Sequence, residues 1–459
     1  MLQRSLVGSM VGQSVSVIRG TAVLAGETSA ESRTIRKIQL RLLPFLFVLY
    51  VIAFVDRINI GFAALTMNRE LTITSQQFGF AAGIFFFGYC LFEVPSNLLL
   101  HKIGARFWIA RILITWGILA VLTGFVHTIR QLYLLRFLLG LAEAGYFPGI
   151  VLYLTYWFRQ RERAQAVALF LTGLPITSVV GGPISGFILD HISWVGLSSW
   201  RWLLIIEGLP AIACGILTYF VLPNRPGNAK FLTAAEKEWL RADLLSEERK
   251  KLDHHHYSVP QALLNWRVLS LGLIEFGIVI GTYTFSFWTP QLLKALTGQY
   301  SNTAIGLLLM VPNLAGAIAM ILVSRSSDRK QERSYHAGIP ALLAAAALTL
   351  MGRFQSTPVV IALMTLLAIG LYSWTGPFFS LPTEFLSGSS AAAGIALVNS
   401  IGNLGGFVGP YAMGAVSHWS GDMYAGLRLL AFPVLLAGVG LLLLPGLGPK
   451  RLVPVARSS

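Results

Sequence analysis

Apolar runs of about 20 residues, separated by short polar turns, recur along nearly the whole chain. They fall at 41–63, 78–99, 107–126, 131–156, 165–189, 202–222, 267–292, 303–323, 338–354, 357–380, 391–415 and 426–446. Each is long enough to cross a hydrocarbon core of ~30 Å, so the pattern predicts twelve transmembrane helices. Runs 41–63 and 131–156 are the least uniformly apolar. The longest interruption, 223–266, is polar, begins at Pro223 and contains a predicted helix over Ala234–Lys251. It separates six spans from six. The expected organisation is a disordered tail over 1–35, a six-helix bundle over 36–222, a linker over 223–266, a second six-helix bundle over 267–447 and a short tail over 448–459. The fold class is an all-α polytopic membrane protein.

Composition supports that reading. The chain is 55% hydrophobic and 12% charged, with mean hydropathy +0.67. A soluble domain carries about 25% charge, so this chain cannot clothe a soluble surface. That excludes a soluble enzyme, a disordered regulator and a secreted module. The net charge of +15 would suggest nucleic acid in a soluble protein. Here the basic residues sit in alternate short loops: Lys102 and Arg106, then Arg159, Arg161 and Arg163, then 223–266, then Arg325, Arg329, Lys330 and Arg333. Together with the two basic tails, this positive-inside pattern predicts both termini in the cytoplasm and, for a bacterial chain, an inner-membrane location. Residues 1–35 lack the compact apolar region of a signal peptide. Cys90 and Cys214 both lie inside apolar runs and give no disulfide or zinc framework. His254–His256 in the linker offer a metal site as one reading, but a solvated loop is the expected one. No H-E-x-x-H, G-x-S-x-G or Walker loop is present, so no enzyme, cofactor or ATP-driven chemistry is expected. A monomer in the bilayer, without nucleic-acid partners, is the expectation.

A charge at mid-bilayer costs about 2.5–3.5 kcal/mol on insertion scales, so ionisable residues within the spans are functional candidates. Span 1 holds Asp56, Arg57 and Asn59. Neighbouring side chains point about 100° apart on a helix, so Arg57 can face a cavity while Asp56 faces a neighbour. The bland alternative is a self-neutralised pair. Span 4 holds Arg136 and Glu143, two turns apart on one face at about 10 Å. Two such pairs favour a polar cavity over structural glue. Glu93, Glu207 and Glu384 read as structural partners of loop arginines or helix ends, and Glu275 stands open between the two readings. Tyr89, Ser373, Trp374, Asn399 and Asn403 are either interhelical hydrogen-bonding groups or ligands for a carboxylate or hydroxyl. The small-residue pairs Gly145/Gly149, Gly182/Gly186 and Gly402/Gly406 permit close helix contact and give surfaces on which two bundles can rock.

The halves resemble repeats. His101–Arg106 follows span 2 and Asp328-Arg329-Lys330 follows span 8, while Gly/Pro clusters interrupt spans 5 (Gly181–Gly186) and 11 (Gly405–Pro410). Six plus six spans with these features resemble the major facilitator superfamily over about residues 36–450. Asp56-Arg57-x-Asn59, Gly104-Ala105-Arg106, Arg136-x6-Glu143-Ala144-Gly145-x-x-Pro148-Gly149 and Asn399-x-x-Gly402-Asn403-x-Gly405-Gly406 resemble the anion:cation symporter family within it. That family carries tartrate, phthalate, hydroxyphenylacetate, sugar acids and related anions.

The resemblance implies roles. Arg57 would bind the substrate carboxylate, with Tyr89, Ser373, Trp374, Asn399 and Asn403 lining the site. Asp56 and Glu143 would be protonation sites, and Arg136 would tune Glu143. Arg106, Asp328 and Arg329 would act in gating, although His101 stands where the general motif carries Asp. The expected partners are a small organic anion and a proton, with sodium second. Importing a monoanion against the membrane potential costs about 2.3 kcal/mol per 100 mV, which one proton cancels and two reverse. Proton-coupled uptake is therefore the expected function. A proton antiporter exporting a metabolite or drug is the first alternative, since Gly181–Gly186 partly resembles an antiporter signature. A transporter-like receptor without translocation is the second.

Overall fold

The computed structural model describes residues 3–171, 173–252, 261, 263–382, 386 and 388–444. His254–His256, Glu384 and the tail 448–459 lie outside the described residues. The first half contributes α1 (Gln3–Glu70), α2 (Ser75–Ile103), α3 (Ala105–Thr123), α4 (Ile129–Glu143), α5 (Tyr146–Thr155), α6 (Gln160–Leu171), α7 (Gly173–His191) and α8 (Ser199–Val221). The linker helix is α9 (Ala234–Leu252). The second half contributes α10 (Trp266–Thr297), α11 (Asn302–Lys330), α12 (Ser334–Leu350), α13 (Thr357–Ser373), α14 (Thr375–Ser380), α15 (Gly388–Ser420) and α16 (Met423–Leu443). Nine helices among the described residues are long and apolar enough to cross a membrane. The short α12 and the small-residue-rich α7 and α15 complete the two sets of six.

Local chemistry sets the helix ends. Thr74 with Gln77 opens α2 and Thr128 with Gln131 opens α4, each a reciprocal capping box. Ser301 caps α11 and Asp422 caps α16. Helix α1 begins at Gln3, and no proline stands before Pro44 to interrupt it. One expectation needs correction: span 4 is not one helix. Gly145 adopts φ +81°, a left-handed conformation that glycine tolerates, and it divides α4 from α5 just after Glu143.

Large apolar side chains such as Leu98, Phe220, Leu273 and Phe432 stay exposed on the outside of the bundles, where lipid replaces water as solvent. Helices α1 to α8 pack chiefly through α3 on α8, α2 on α4, and α1 on α7 and α8. The second half packs through α10 on α15, α12 on α16 and α11 on α13. Three pairs join the halves: α2 with α15, α7 with α11, and α1 with α10.

The loops poor in basic residues mark what is called the outer end here. The closest crossings gather there and need glycine. Gly79 and Gly83 lie under Pro410 and Phe407, Gly182 meets Gly306, Gly186 meets Asn302, and Gly61 meets Phe287. A Cβ on Gly186 would sit 2.7 Å from the Asn302 carbonyl carbon, and one on Gly83 would sit 2.7 Å from the Phe407 carbonyl oxygen. The molecule is thus closed at its outer end. Gly186→Val is expected to hold that end apart. Overpacking of about 1–3 kcal/mol corresponds to a five- to hundredfold loss of the closed state. Initial transport rates at unchanged surface expression report it.

A polar clasp reinforces the same crossing. Asp190, at the end of α7, accepts four hydrogen bonds at the start of α11. Two come from the Asn302 amide and side chain (3.0 and 2.8 Å), two from the Thr303 amide and hydroxyl (2.7 Å each). Partial burial alone would raise the Asp190 carboxyl, but these donors outweigh it and hold the group below the usual carboxylate range. When the outer end opens the bonds break, and the group returns toward its ordinary value. The stabilisation is therefore complete above the ordinary carboxylate range and fades as pH falls through the lowered value. Asp190→Ala should cost about 1 kcal/mol of closure, roughly fivefold in the closed-to-open ratio. The labelling rate of a cysteine at Ser75, in the α2–α15 seam, measures it.

At the opposite end Arg159 ties the linker to the first bundle. It pairs with Asp243 of α9 at 2.9 Å and with Glu162 at 2.7 Å, and its guanidinium lies 5.0 Å from the Trp239 ring centroid. Lys37 pairs with Glu236 of α9 at 3.0 Å.

Candidate functional site

The centre of the first bundle is built on α1, where Asp56, Arg57 and Asn59 occupy successive faces of one helical turn. Arg57 points toward the second half and Asp56 back into the first. The Arg57 Nη2 forms an ion pair with Glu143, and its Nη1 donates to the Tyr283 hydroxyl at 3.1 Å. Phe54, Phe85 and Tyr89 surround the guanidinium, with ring centroids at 4.9, 5.4 and 5.5 Å. The pair is almost fully enclosed: Arg57 is 8% exposed and Glu143 1%. The Arg57 Nε has no hydrogen-bond partner, so the fork keeps a donor in reserve.

The ion pair lies within the first bundle, with the cation on α1 and the anion on α4, and Tyr283 of α10 reaches it from the second. Glu143 is the last residue of α4, and the turn at Gly145 follows it directly. Close approach brings α4 into range, because Gly140 rides on the Phe85 backbone and Gly88 on that of Phe137. Arg136 lies one face along, 2% exposed, and donates to the Ala81 and Ala82 carbonyls of α2 at 3.3 and 3.4 Å. It shares the Phe85 ring with Arg57, its guanidinium 5.1 Å from the centroid. Asp56 makes no ion pair among the described residues. It accepts from Asn59 at 3.4 Å, and its Oδ2 has no hydrogen-bond partner. Its electrostatic neighbours include Glu207, Glu143 and Arg136.

Asp56, Arg57, Tyr89, Arg136 and Glu143 thus converge in one cluster. Asn399 on α15 lies across the interface and donates to Glu93 at 3.4 Å, while Asn403 is half-buried one turn further on. Ser373 is buried with its hydroxyl unpartnered, and the Trp374 indole N–H donates to the Leu371 carbonyl at 2.8 Å; no hydrogen bond joins either residue to Arg57. The three gating candidates stay within their own bundles. Arg106 donates to the Tyr219 carbonyl and stacks on its ring, Asp328 pairs with Arg333 at 2.5 Å, and Arg329 is exposed.

Two sequence expectations fail here. Glu93 is no partner of loop arginines: it is buried and accepts from Asn399 and Ser400 of the other bundle, because α2 and α15 pack tightly along the seam. Glu207 is likewise buried, and accepts from Ser185 on α7 at 2.7 Å with no arginine bound to it. Tyr283 escaped the sequence reading. Its only signal is a polar triplet, Thr282-Tyr283-Thr284, in an otherwise apolar run.

Two helical bundles closed against each other at one end, with a buried ion pair of the first met by a tyrosine of the second, have the architecture of a membrane transporter. The chain belongs to the Major Facilitator Superfamily, whose pattern it matches over residues 46–410. Among its relatives is an Agrobacterium vitis protein provisionally named as a tartrate transporter, 46% identical over 92% of this chain and 93% of that one. A quinolone resistance transporter of Acinetobacter baumannii is 39% identical over 88% and 93% respectively. The fold is similar to that of a bacterial homologue of the human lysosomal transporter Spinster in its inward-facing, occupied conformation. The TM-score is 0.68 at 17% identity, covering 88% of this chain and 94% of that one. The protein is a multi-pass integral membrane transporter, and not an enzyme.

Proposed function

We propose that this transporter imports a small organic carboxylate together with protons. The buried Arg57–Glu143 pair carries the reading. An arginine fork fits a carboxylate in two-point geometry, and here it is occupied by an internal carboxylate, with Nε in reserve. A proton on Glu143 removes the internal competitor and frees the fork for the substrate. Returning that proton restores the pair and expels the substrate. Substrate and proton thus compete through one cation, which couples their movements. The Tyr283 hydroxyl, supplied by the other bundle, makes the Arg57 environment depend on how the bundles sit. Tyr89, Asn399, Asn403, Ser373 and Trp374 supply the remaining substrate contacts in this reading. Asp56, unpaired and beside Glu143, is the second proton site. Arg136 holds a positive field on Glu143 while its own donors are engaged by α2. Arg106, Asp328 and Arg329 act in gating when the inner ends approach. The 46%-identical relative named for tartrate supports a hydroxy-dicarboxylate as the first substrate to try.

The test is external pH in lightly buffered, energy-depleted cells given tartrate, phthalate, galactonate, hydroxyphenylacetate or nicotinate, with Arg57→Ala cells as the blank. Alkalinisation with one compound, absent in the blank, is the expected result. The relative named for quinolone resistance favours a second reading, proton-driven export of a carboxylate-bearing compound through the same site. Acidification outside on substrate addition would select export.

A further inference from the structure

Besides Glu207, the coupling scheme leaves two buried carboxyls unused, Glu93 on α2 and Glu275 on α10. They come from opposite bundles, and both press on one stretch of α15. Glu93 accepts from the Asn399 side chain at 3.4 Å and from the Ser400 hydroxyl at 3.2 Å. Glu275, 3% exposed, lies against Gly402, where an added Cβ would stand 2.6 Å from its carboxyl carbon. The Glu275 Oε2 is buried and has no hydrogen-bond partner. Glu93 is the one charged group acting on Glu275 among the described residues, whereas Glu93 also feels Arg57. The other titratable groups beside the pair are Tyr89 and Cys90 on α2. Toward Glu275, α15 presents Gly402, while Ile401 of α15 and Ala437 of α16 pack on the neighbouring Gly272 and Gly277 of α10.

We infer that Glu93 and Glu275 form a second proton-holding centre of the transporter, with Glu93 as the anion fixed by α15 and Glu275 as the proton carrier. Glu93 has two donors to solvate a negative charge. Among the described residues Glu275 has no cation beside it and one oxygen with no donor, an environment that fits a neutral carboxylic acid. The donors on Glu93 belong to the opposite bundle. Rocking α15 away from α2 strips them from Glu93 and changes how the pair shares its proton. A proton held differently in two conformations biases the equilibrium between them. The centre is made of residues other than the Arg57–Glu143 pair, although Glu93 feels Arg57, and its role in coupling rests on the proton-driven reading above. The protonated carboxyl itself does not rest on that reading.

The test is infrared spectroscopy on the purified full-length protein in lipid at neutral pH, without substrate. Glu275→Gln should remove one carboxylic C=O band from the wild-type spectrum, and Glu93→Gln should shift that band. Asp56→Asn and Glu143→Gln should leave it in place. A Glu275→Gln spectrum that loses no carboxylic C=O band overturns the proposal. If Glu275→Gln fails to fold, Glu275→Asp decides: the band shifts, or the proposal falls. The coupling role is read separately from a fluorophore pair on the inner helix ends, titrated with pH. Above the acidic range in which the Asp190 clasp titrates, the Asp56→Asn/Glu143→Gln protein should keep a residual pH response that Glu275→Gln abolishes. A residual response unchanged by Glu275→Gln removes the coupling role. Failure of proton-driven uptake alone leaves the infrared result standing, so the two claims fail separately.

Discussion

Arg57→Ala is expected to abolish substrate binding. Among the described residues, the guanidinium is the one cation that pairs with a carboxylate at the centre of the first bundle while holding a donor in reserve. Hydrogen bonds to a charged group contribute about 1.5–3 kcal/mol each, so loss of a two-point contact weakens affinity more than a hundredfold. Removing the cation also strands Glu143, buried on α4, and breaking a buried pair costs about 3–5 kcal/mol. Lower thermal stability should accompany the loss at pH values where Glu143 would be charged. Arg57→Lys separates the two effects. It keeps the charge beside Glu143 but not the planar fork, so stability should largely return while affinity stays reduced, by roughly tenfold. Substrate-induced thermal shift on purified protein reads affinity and stability together.

Glu143→Gln should uncouple transport without abolishing it. The amide mimics the protonated acid in shape and charge. Arg57 is then permanently free of its internal carboxylate, and substrate binding should persist across the pH range in which the wild type loses it. Exchange of internal for external substrate should continue, because it needs no proton turnover. Net accumulation should fall to the level that passive equilibration gives. For a monoanion facing an inside-negative potential that level lies below the external concentration, by about 2.3 kcal/mol per 100 mV. Counterflow and uphill uptake in the same vesicles distinguish the two activities. Asp56→Asn is expected to act in the same direction but less completely, since Asp56 makes no ion pair among the described residues.

Much of the architecture was legible in the chain, because bilayer thickness imposes run lengths that composition reveals directly. The linker helix was legible too: Ala234–Lys251 was expected, and α9 covers Ala234–Leu252. The two capping boxes were present as Thr74-x-x-Gln77 and Thr128-x-x-Gln131, although nothing in the run pattern drew attention to them. The break at Gly145 was hidden because the apolar pattern continues across it. A single left-handed glycine redirects a helix without changing hydropathy. Asp56, Arg57, Arg136 and Glu143 stood out because charge inside a membrane span is rare. Their pairing did not. Periodicity placed Arg136 and Glu143 on one face, but the partner of Glu143 is Arg57 on another helix, a long-range fact that no local spacing encodes. Glu93 and Glu207 were misread for the same reason. Their partners, Asn399, Ser400 and Ser185, are neutral residues contributed by distant helices. Gly182 and Gly186 were read correctly as contact surface, but the sequence could not say that Gly306 and Asn302 of the other bundle are what they touch.

In the proposed coupling, a proton on Glu143 releases Arg57 for the substrate carboxylate, so that the proton gradient drives uptake. The most direct test is substrate accumulation in proteoliposomes under imposed pH gradients, with the membrane potential clamped near zero and the substrate identified by external alkalinisation. The accumulation ratio should rise with the size of an outside-acid gradient in the wild type and stay near one in Glu143→Gln, while both proteins retain exchange. Accumulation that ignores the gradient in the wild type, or that persists undiminished in Glu143→Gln, would contradict it.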